Sequence, residues 1–112
     1  MKKSNVLILG ITFKENCPDI RNTKVVDIYE ELKQYGLNVD IYDPWADEKE
    51  VKDEYNIEIM PQINNSKKYE AVVVTVAHKD FVDFNFKRYK EEEAVIFDTK
   101  SFINREFVDG RL

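Results

Sequence analysis

Three uninterrupted runs of apolar or β-branched residues, with helical segments between them, constrain the fold of this chain more than any other feature. The runs are Val6 to Leu9, Ala71 to Val76 and Ala94 to Phe97. Runs without regular polar alternation are typical of strands that are buried on both faces of a parallel sheet. Strands of this kind that alternate with helices predict right-handed βαβ units in an α/β domain of three layers.

Helix signals fill the segments between the runs. Val25, Ile28 and Leu32 recur at helical spacing until Gly36 stops the pattern, and Asp47 is a candidate N-cap. The expected helices are Thr23 to Tyr35, Glu48 to Tyr55 and Phe86 to Glu92.

Two further strands complete a predicted sheet of about five. We expect the second strand at Val39 to Tyr42, closed by Asp43-Pro44, and a weaker third at Ile57 to Met60, closed by Pro61. The predicted order 3-2-1-4-5 describes a Rossmann-like sheet with a topological switch between strands one and four.

Ligands of such sheets bind outside the carboxyl ends of the strands at the switch. We therefore expect the site at the loops that begin at Gly10, Ala77 and Asp98.

The length and charge of the chain limit its class. The 112 residues suffice for one domain, 1–112, and no repeat or linker indicates a second. A net charge of -5 argues against nucleic acid and anionic membranes as partners. The single Cys17 cannot form an internal disulfide and no secretory leader is evident, so we expect a reducing cytoplasm. No His, Cys or acid cluster has metal-ligand spacing, so we predict no metal.

Basic residues follow the first and last of these runs. The first loop lacks G-x-G-x-x-G and offers only Gly10, so a backbone cradle for a pyrophosphate is not expected. Lys14 as a point charge and Arg21 as a bidentate fork could bind phosphate instead, or both could be solvated loop charges. Lys100 adds a third cation at the same predicted edge. Together they predict an anion site on an otherwise acidic domain.

For three polar residues, a structural role is a better interpretation than ligand binding. Asp19 can brace Arg21 through a turn or a local ion pair. Thr23 lies where its hydroxyl can accept from amides at a helix start. Asp43 occupies the place of a ribose-binding acid, but without the glycine pattern a turn or cap role is preferred.

Cys17 and His78 are the only members of their types and could form a nucleophile and base pair, as in a small hydrolase. Such a pair needs mutual reach and a third orienting group, which the sequence does not supply, so we assign no catalytic residue. His78 either contacts a ligand at the crevice or is a turn histidine. A receiver-like regulatory module is a further alternative, but it needs paired acids at the first strand, and none are present.

Gly10 to Thr23, GITFKENCPDIRNT, together with Val39 to Pro44, VDIYDP, resembles the C-terminal, UDP-binding domain of the UDP-glucose/GDP-mannose dehydrogenase family. The resemblance covers about Asn5 to Ser101. It is closest to the UDP-N-acetylhexosamine 6-dehydrogenases of Vi-type capsule and O-antigen synthesis. In the family a tryptophan often replaces His78, and an arginine often replaces Lys100.

The resemblance implies that the chain is the nucleotide-sugar-binding C-terminal domain of a longer oxidoreductase. Such enzymes oxidise C6 of a nucleotide sugar in two NAD-dependent steps on a cysteine upstream of this domain. The fragment alone is therefore expected to be inactive, and Cys17 is not the nucleophile. Phe13, Lys14 and Lys100 are implied to contact the UDP-sugar. Arg21 is implied to reach NAD, which the N-terminal domain would bind for the most part. The other implied partners are the enzyme's own N-terminal and central domains, in a homodimer.

Overall fold

Five parallel strands form one sheet in a computed structural model of the chain, which describes residues 4–21, 23–63, 67–82, 84–99, 108 and 110–111. The strands are β1 (Asn5–Leu9), β2 (Asn38–Tyr42), β3 (Ala71–Val74), β4 (Val95–Asp98) and β5 (Gly110–Arg111). The helices are α1 (Val25–Gln34), α2 (Glu48–Tyr55) and α3 (Phe86–Glu91), with a short 3-10 helix at Lys79–Phe81. The strand order is β2-β1-β3-β4-β5, with every neighbouring pair parallel. The predicted α/β class with a parallel sheet is confirmed.

The segment predicted as the third strand lies beside β2, as the predicted order requires, but it does not form a strand. Only Met60 pairs with Tyr42, as an isolated bridge, and the Met60 amide donates to the Ile41 carbonyl at 2.8 Å. Asn56 has a left-handed backbone with φ 57°, and Pro61 has no amide hydrogen to extend the pairing. The fifth strand of the sheet is instead the two-residue β5, which the sequence did not predict.

Hydrophobic clusters cover the two faces of the sheet. Because side chains alternate along a strand, Leu7 and Leu9 point to one face and Ile8 to the other. The cluster that contains Leu7 also contains Tyr89 of α3, and the cluster around Ile8 contains residues of α1 and α2. These two clusters give the three-layer arrangement that the sequence predicted.

The first helix is shorter than predicted at both ends. Lys24 takes the N-cap position without a side-chain cap, while the Thr23 hydroxyl accepts from the Val25 amide at 3.2 Å. The expected role of Thr23 is thereby confirmed. The helix ends at Gln34 with Tyr35 as its C-cap, and the next residue, Gly36, adopts the left-handed φ of 82° that such an ending favours.

The second helix has the predicted bounds and the predicted cap. One carboxylate oxygen of Asp47 accepts from the amides of Lys49 and Glu50. Within the part of the chain that the structure describes, no helix is long and apolar enough to cross a membrane.

Candidate functional site

The winding of the sheet reverses between β1 and β3, and the loops after these strands meet at its carboxyl edge. A cavity of about 350 Å³ opens there. Its lining includes Phe13, Lys14, Thr23, Lys24, Val76 and Thr99. Ligands of open parallel sheets bind at this kind of position, so a cavity of ligand size lies where the sequence predicted the site.

Phe13 and Lys14 are both exposed at this cavity, and 58% of Phe13 is accessible to solvent. The Phe13 amide donates to the Asp19 carbonyl at 2.6 Å, which folds the loop back on itself. A flat aromatic ring next to an ammonium group suits a ligand that combines a base with a phosphate.

Arg21 lines a different cavity of about 740 Å³, together with Cys17 and the acidic residues Asp47, Glu50, Asp53 and Glu54. Its guanidinium forms a bidentate pair with the Asp19 carboxylate, with both N to O distances at 3.0 Å. Contrary to prediction, the structure does not gather Lys14 and Arg21 at one cavity, because Asp19 fixes the guanidinium beside the acidic one. Lys100, the third predicted cation, lies outside the described residues.

The predicted brace between Asp19 and Arg21 is confirmed. Hydrogen bonds from Arg21 lower the pKa of Asp19 from its ordinary 3.8 to about 2. The pair is open to solvent, so it orders the loop locally rather than adding much to the stability of the fold.

Asp43, at the end of β2, is buried and connects two loops. One oxygen, Oδ2, accepts from the amides of Ile11 at 2.7 Å and Thr12 at 3.1 Å. The other, Oδ1, accepts from the Trp45 amide at 2.8 Å in the expected turn. Burial raises the pKa of Asp43, but hydrogen bonds from His78 and Ile11 outweigh it and hold the pKa below 3.8. The preferred turn role of Asp43 is confirmed.

His78 is fully buried after β3, and both of its ring nitrogens have partners. Nε2 lies 2.9 Å from Asp43 Oδ2 and 3.0 Å from Thr12 Oγ1. Nδ1 accepts from the Asn16 amide at 2.9 Å. An atom that accepts from an amide carries no proton, so the ring is neutral with its hydrogen on Nε2.

Two neighbours complete this cluster. Asn16 has a left-handed φ of 55°, and its side-chain oxygen accepts from the Lys79 amide at 2.7 Å. The Trp45 ring stacks on the His78 ring, with 6.0 Å between the ring centroids, and the Trp45 indole NH donates to Asp80 at 2.7 Å. The loop after β1 is thus tied to the turn after β3.

These contacts decide against a Cys17 and His78 dyad. Both nitrogens of His78 are engaged by other groups, and Cys17 lines the larger acidic cavity. Among the described residues, no three His, Cys, Asp or Glu side chains form a group that could hold a metal ion.

The loop after β1 is not a dinucleotide cradle. Its first amides, from Ile11 and Thr12, already donate to the Asp43 carboxylate, so they are not available to a pyrophosphate. The same contacts occupy the acid that would otherwise bind a ribose. The described residues therefore do not form the main binding site for NAD.

Sequence reasoning missed the roles of Thr12, Asn16 and Trp45. Asp43 and His78 did follow the two predicted strands that flank the first strand, which brings their loops to one edge. The direct bond between them depends on side-chain burial, which spacing does not reveal.

The fold and the cavity define a doubly wound α/β domain that has a cavity at the switch and, among its described residues, no glycine-rich phosphate loop. The chain belongs to the UDP-glucose/GDP-mannose dehydrogenase family: the model of its UDP binding domain matches residues 7–105. This confirms the resemblance read from the sequence and decides against a receiver-like module.

Relatives of the chain include proteins named as UDP-sugar dehydrogenases. It is 43% identical to UDP-N-acetyl-D-glucosamine 6-dehydrogenase of Salmonella typhi, over 97% of this chain and 26% of that protein. It is 38% identical to the enzyme of the same name from Pseudomonas aeruginosa, with the same coverage. The structure of UDP-N-acetyl-mannosamine dehydrogenase Cap5O from S. aureus matches with a TM-score of 0.74 and 25% identity, over 99% of this chain and 26% of that one. The chain thus spans about a quarter of the length of these relatives.

Proposed function

We propose that this chain is the C-terminal domain of an NAD-dependent UDP-sugar 6-dehydrogenase of surface polysaccharide synthesis, and that it binds the UDP part of a UDP-N-acetylhexosamine. Phe13 and Lys14 contact the nucleotide, and Lys100 adds a cation from beyond the described residues. The observation that carries the proposal is the cavity at the β1 and β3 switch, which Phe13 and Lys14 line in a chain that belongs to this family.

The charge distribution supports a local anion site. The chain has a net charge of -5, and the larger cavity has five carboxylates in its lining, Asp19, Asp47, Glu50, Asp53 and Glu54, against one cation, Arg21. The smaller cavity has two lysines, Lys14 and Lys24, against one acid, Glu15. A diphosphate is therefore attracted to the smaller cavity and repelled by the larger one.

The NAD assignment follows from what the described residues cannot do. Because the first loop amides are bound to Asp43, the dinucleotide needs another domain to hold it. We propose that an N-terminal domain supplies that site, that Arg21 reaches NAD from this chain, and that the whole enzyme includes a central domain and is a homodimer. On this proposal the chain alone does not oxidise a sugar.

The test is a nuclear magnetic resonance titration of the ¹⁵N-labelled chain with UDP, UMP and uridine. Amide shifts should change at residues that line the smaller cavity, and the affinity should fall from UDP to UMP to uridine as phosphate charge is removed. GDP serves as the control for the base. The proposal is contradicted if UDP at millimolar concentration moves no amide there, or if it moves those around Asp53 instead.

A further inference from the structure

One imidazole contacts both ends of the short segment that carries Phe13 and Lys14. Nε2 of His78 lies 3.0 Å from the Thr12 hydroxyl, and Nδ1 accepts from the Asn16 amide at 2.9 Å. Residues 13–15 stand between these two contacts, are exposed and line the smaller cavity. We propose that His78 is a positioning residue that holds segment 12–16 in the conformation that binds the nucleotide, an inference that rests on the proposed function.

The buried carboxylate sets the ring for this task. Asp43 accepts from Nε2, which keeps the hydrogen on that nitrogen and leaves Nδ1 free to accept. The Thr12 hydroxyl donates onward to the Lys14 carbonyl at 3.0 Å, so it receives rather than donates at Nε2. With the hydrogen on Nδ1 instead, the ring and the Asn16 amide would present two donors to each other.

The ring itself has little freedom to move. Trp45 stacks on the His78 ring and Phe81 contacts it edge-on, with ring centroids 6.0 Å and 5.5 Å away. The side chain of Asn16 also accepts from the Lys79 amide, which fastens the far end of the segment to the chain beside His78. Both ends of segment 12–16 are therefore fixed to the turn after β3.

Fixing the ends matters for affinity. An exposed loop that had to order on binding would lose conformational entropy at each residue, which weakens the complex. If segment 12–16 spent about a tenth of its time in the binding conformation, the measured dissociation constant would rise about tenfold. The His78 contacts remove that loss before the ligand arrives.

The unmodified chain offers the first test. Long-range ¹H–¹⁵N spectra of the histidine ring at neutral pH report which nitrogen is protonated. We expect a neutral ring with the hydrogen on Nε2 and an Nδ1 that accepts a hydrogen bond. A hydrogen on Nδ1 would overturn the inference, because the Asn16 amide could not then donate to it.

Substitution offers the second test. His78→Phe keeps a ring between Trp45 and Phe81 but has no nitrogen. We expect ¹⁵N order parameters at residues 13–15 to fall and the UDP dissociation constant to rise about tenfold. His78→Asn places an oxygen near the position of Nδ1 and should recover part of both. Val72→Ala, a core change on β3 away from the loop, should lower the melting temperature and leave UDP binding unchanged.

The outcomes separate the inference from the proposed function. If the unmodified chain does not bind UDP, the proposed function fails, whatever the order of the loop. If it binds UDP and folded His78→Phe binds equally well with an ordered segment, the inference fails and the function stands. Should His78→Phe not fold, His78→Asn and the ring spectra of the unmodified chain decide in the same way.

Discussion

Lys14 and Arg21 belong to one loop, but their surroundings differ. Arg21 shares its charge with Asp19, in a bidentate pair beside an acidic cavity. Lys14 has no ion pair among the described residues and lines the cavity at the switch. The Arg21 guanidinium is already neutralised by Asp19 and attracts a further anion weakly. The Lys14 ammonium is not neutralised and attracts a phosphate more strongly.

Lys14→Ala in the full-length dehydrogenase should raise the Michaelis constant for the UDP-sugar at least about tenfold, or ~1.4 kcal/mol, because a charge-assisted hydrogen bond to the phosphate is lost. Steady-state kinetics with NAD at saturation measure this. The control is Lys33→Ala, in the last turn of α1, which should leave the Michaelis constant for the UDP-sugar unchanged. An unchanged constant for Lys14→Ala would remove this residue from the site.

Arg21→Ala provides the reciprocal experiment. We expect the Michaelis constant for NAD to rise about fivefold, roughly 1 kcal/mol, with that for the UDP-sugar unchanged. The loss is smaller because part of the guanidinium is already committed to Asp19. A change in the UDP-sugar constant alone would show that Arg21 serves the other ligand.

At the scale of elements, β1 ends in a close approach to the chain after β3. Gly10 has a φ of 109°, and a Cβ built there would lie 2.6 Å from Val76 Cβ and 2.9 Å from the Val76 amide nitrogen. Only a residue without a side chain allows β1 to turn at this point and place Ile11 and Thr12 beside Asp43. The glycine therefore serves packing between loops rather than a phosphate.

Gly10→Ala should destabilise the fold by about 3 kcal/mol or more, since backbone strain and overlap with Val76 add together. Gly36→Ala is the matched control: it has a φ of 82° but meets nothing within 4 Å, so its cost should stay near 1 kcal/mol. Urea unfolding followed by circular dichroism measures both. Equal losses in the two variants would contradict the close approach.

Buried strands and capped helices were the elements that sequence predicted well. The Val and Ile runs of β1, β3 and β4 and the Asp47 cap are local signals, and each lies within about a residue or two of its predicted place. Ile57 and Ile59 misled the prediction, because both are buried without strand pairing. Burial and pairing are separate properties, and an apolar pattern reports only the first.

The site was predictable as an edge but not as a set of contacts. Parallel topology brings the ends of β1, β2 and β3 together, so the location followed from the order of elements. Whether Arg21 turns toward Lys14 or toward Asp53 depends on its pairing with Asp19. The spacing of Asp19 and Arg21 predicted this pair, but it did not predict which way the guanidinium would point. Such orientations are set by local hydrogen bonds that leave no periodic trace.

Over the whole molecule, Asp43 and His78 connect three segments that lie far apart in the chain. Asp43 follows β2, two of its amide donors come from the loop after β1, and His78 follows β3. Both side chains are buried, so their bonds are shielded from water and salt. This pair ties the carboxyl edge of the sheet together on the side where the smaller cavity opens.

The acid stability of the fold should depend on Asp43. A carboxyl whose pKa is lower in the folded than in the unfolded chain stabilises the fold above its unfolded value of 3.8, and this contribution is lost as the pH falls through the folded value. Asp43→Asn should therefore cost about 3 kcal/mol at pH 7, by removing a buried charged partner, and less as the pH falls below about 4. Urea unfolding at several pH values measures this convergence. Asp53→Asn makes the same chemical change at an exposed residue and should follow the unmodified protein at every pH. The prediction fails if the difference in unfolding free energy between Asp43→Asn and the unmodified protein stays constant down to pH 2. In that case protonation of the Asp43 carboxylate would cost the unmodified protein no stability, so its charge would not hold the sheet edge together.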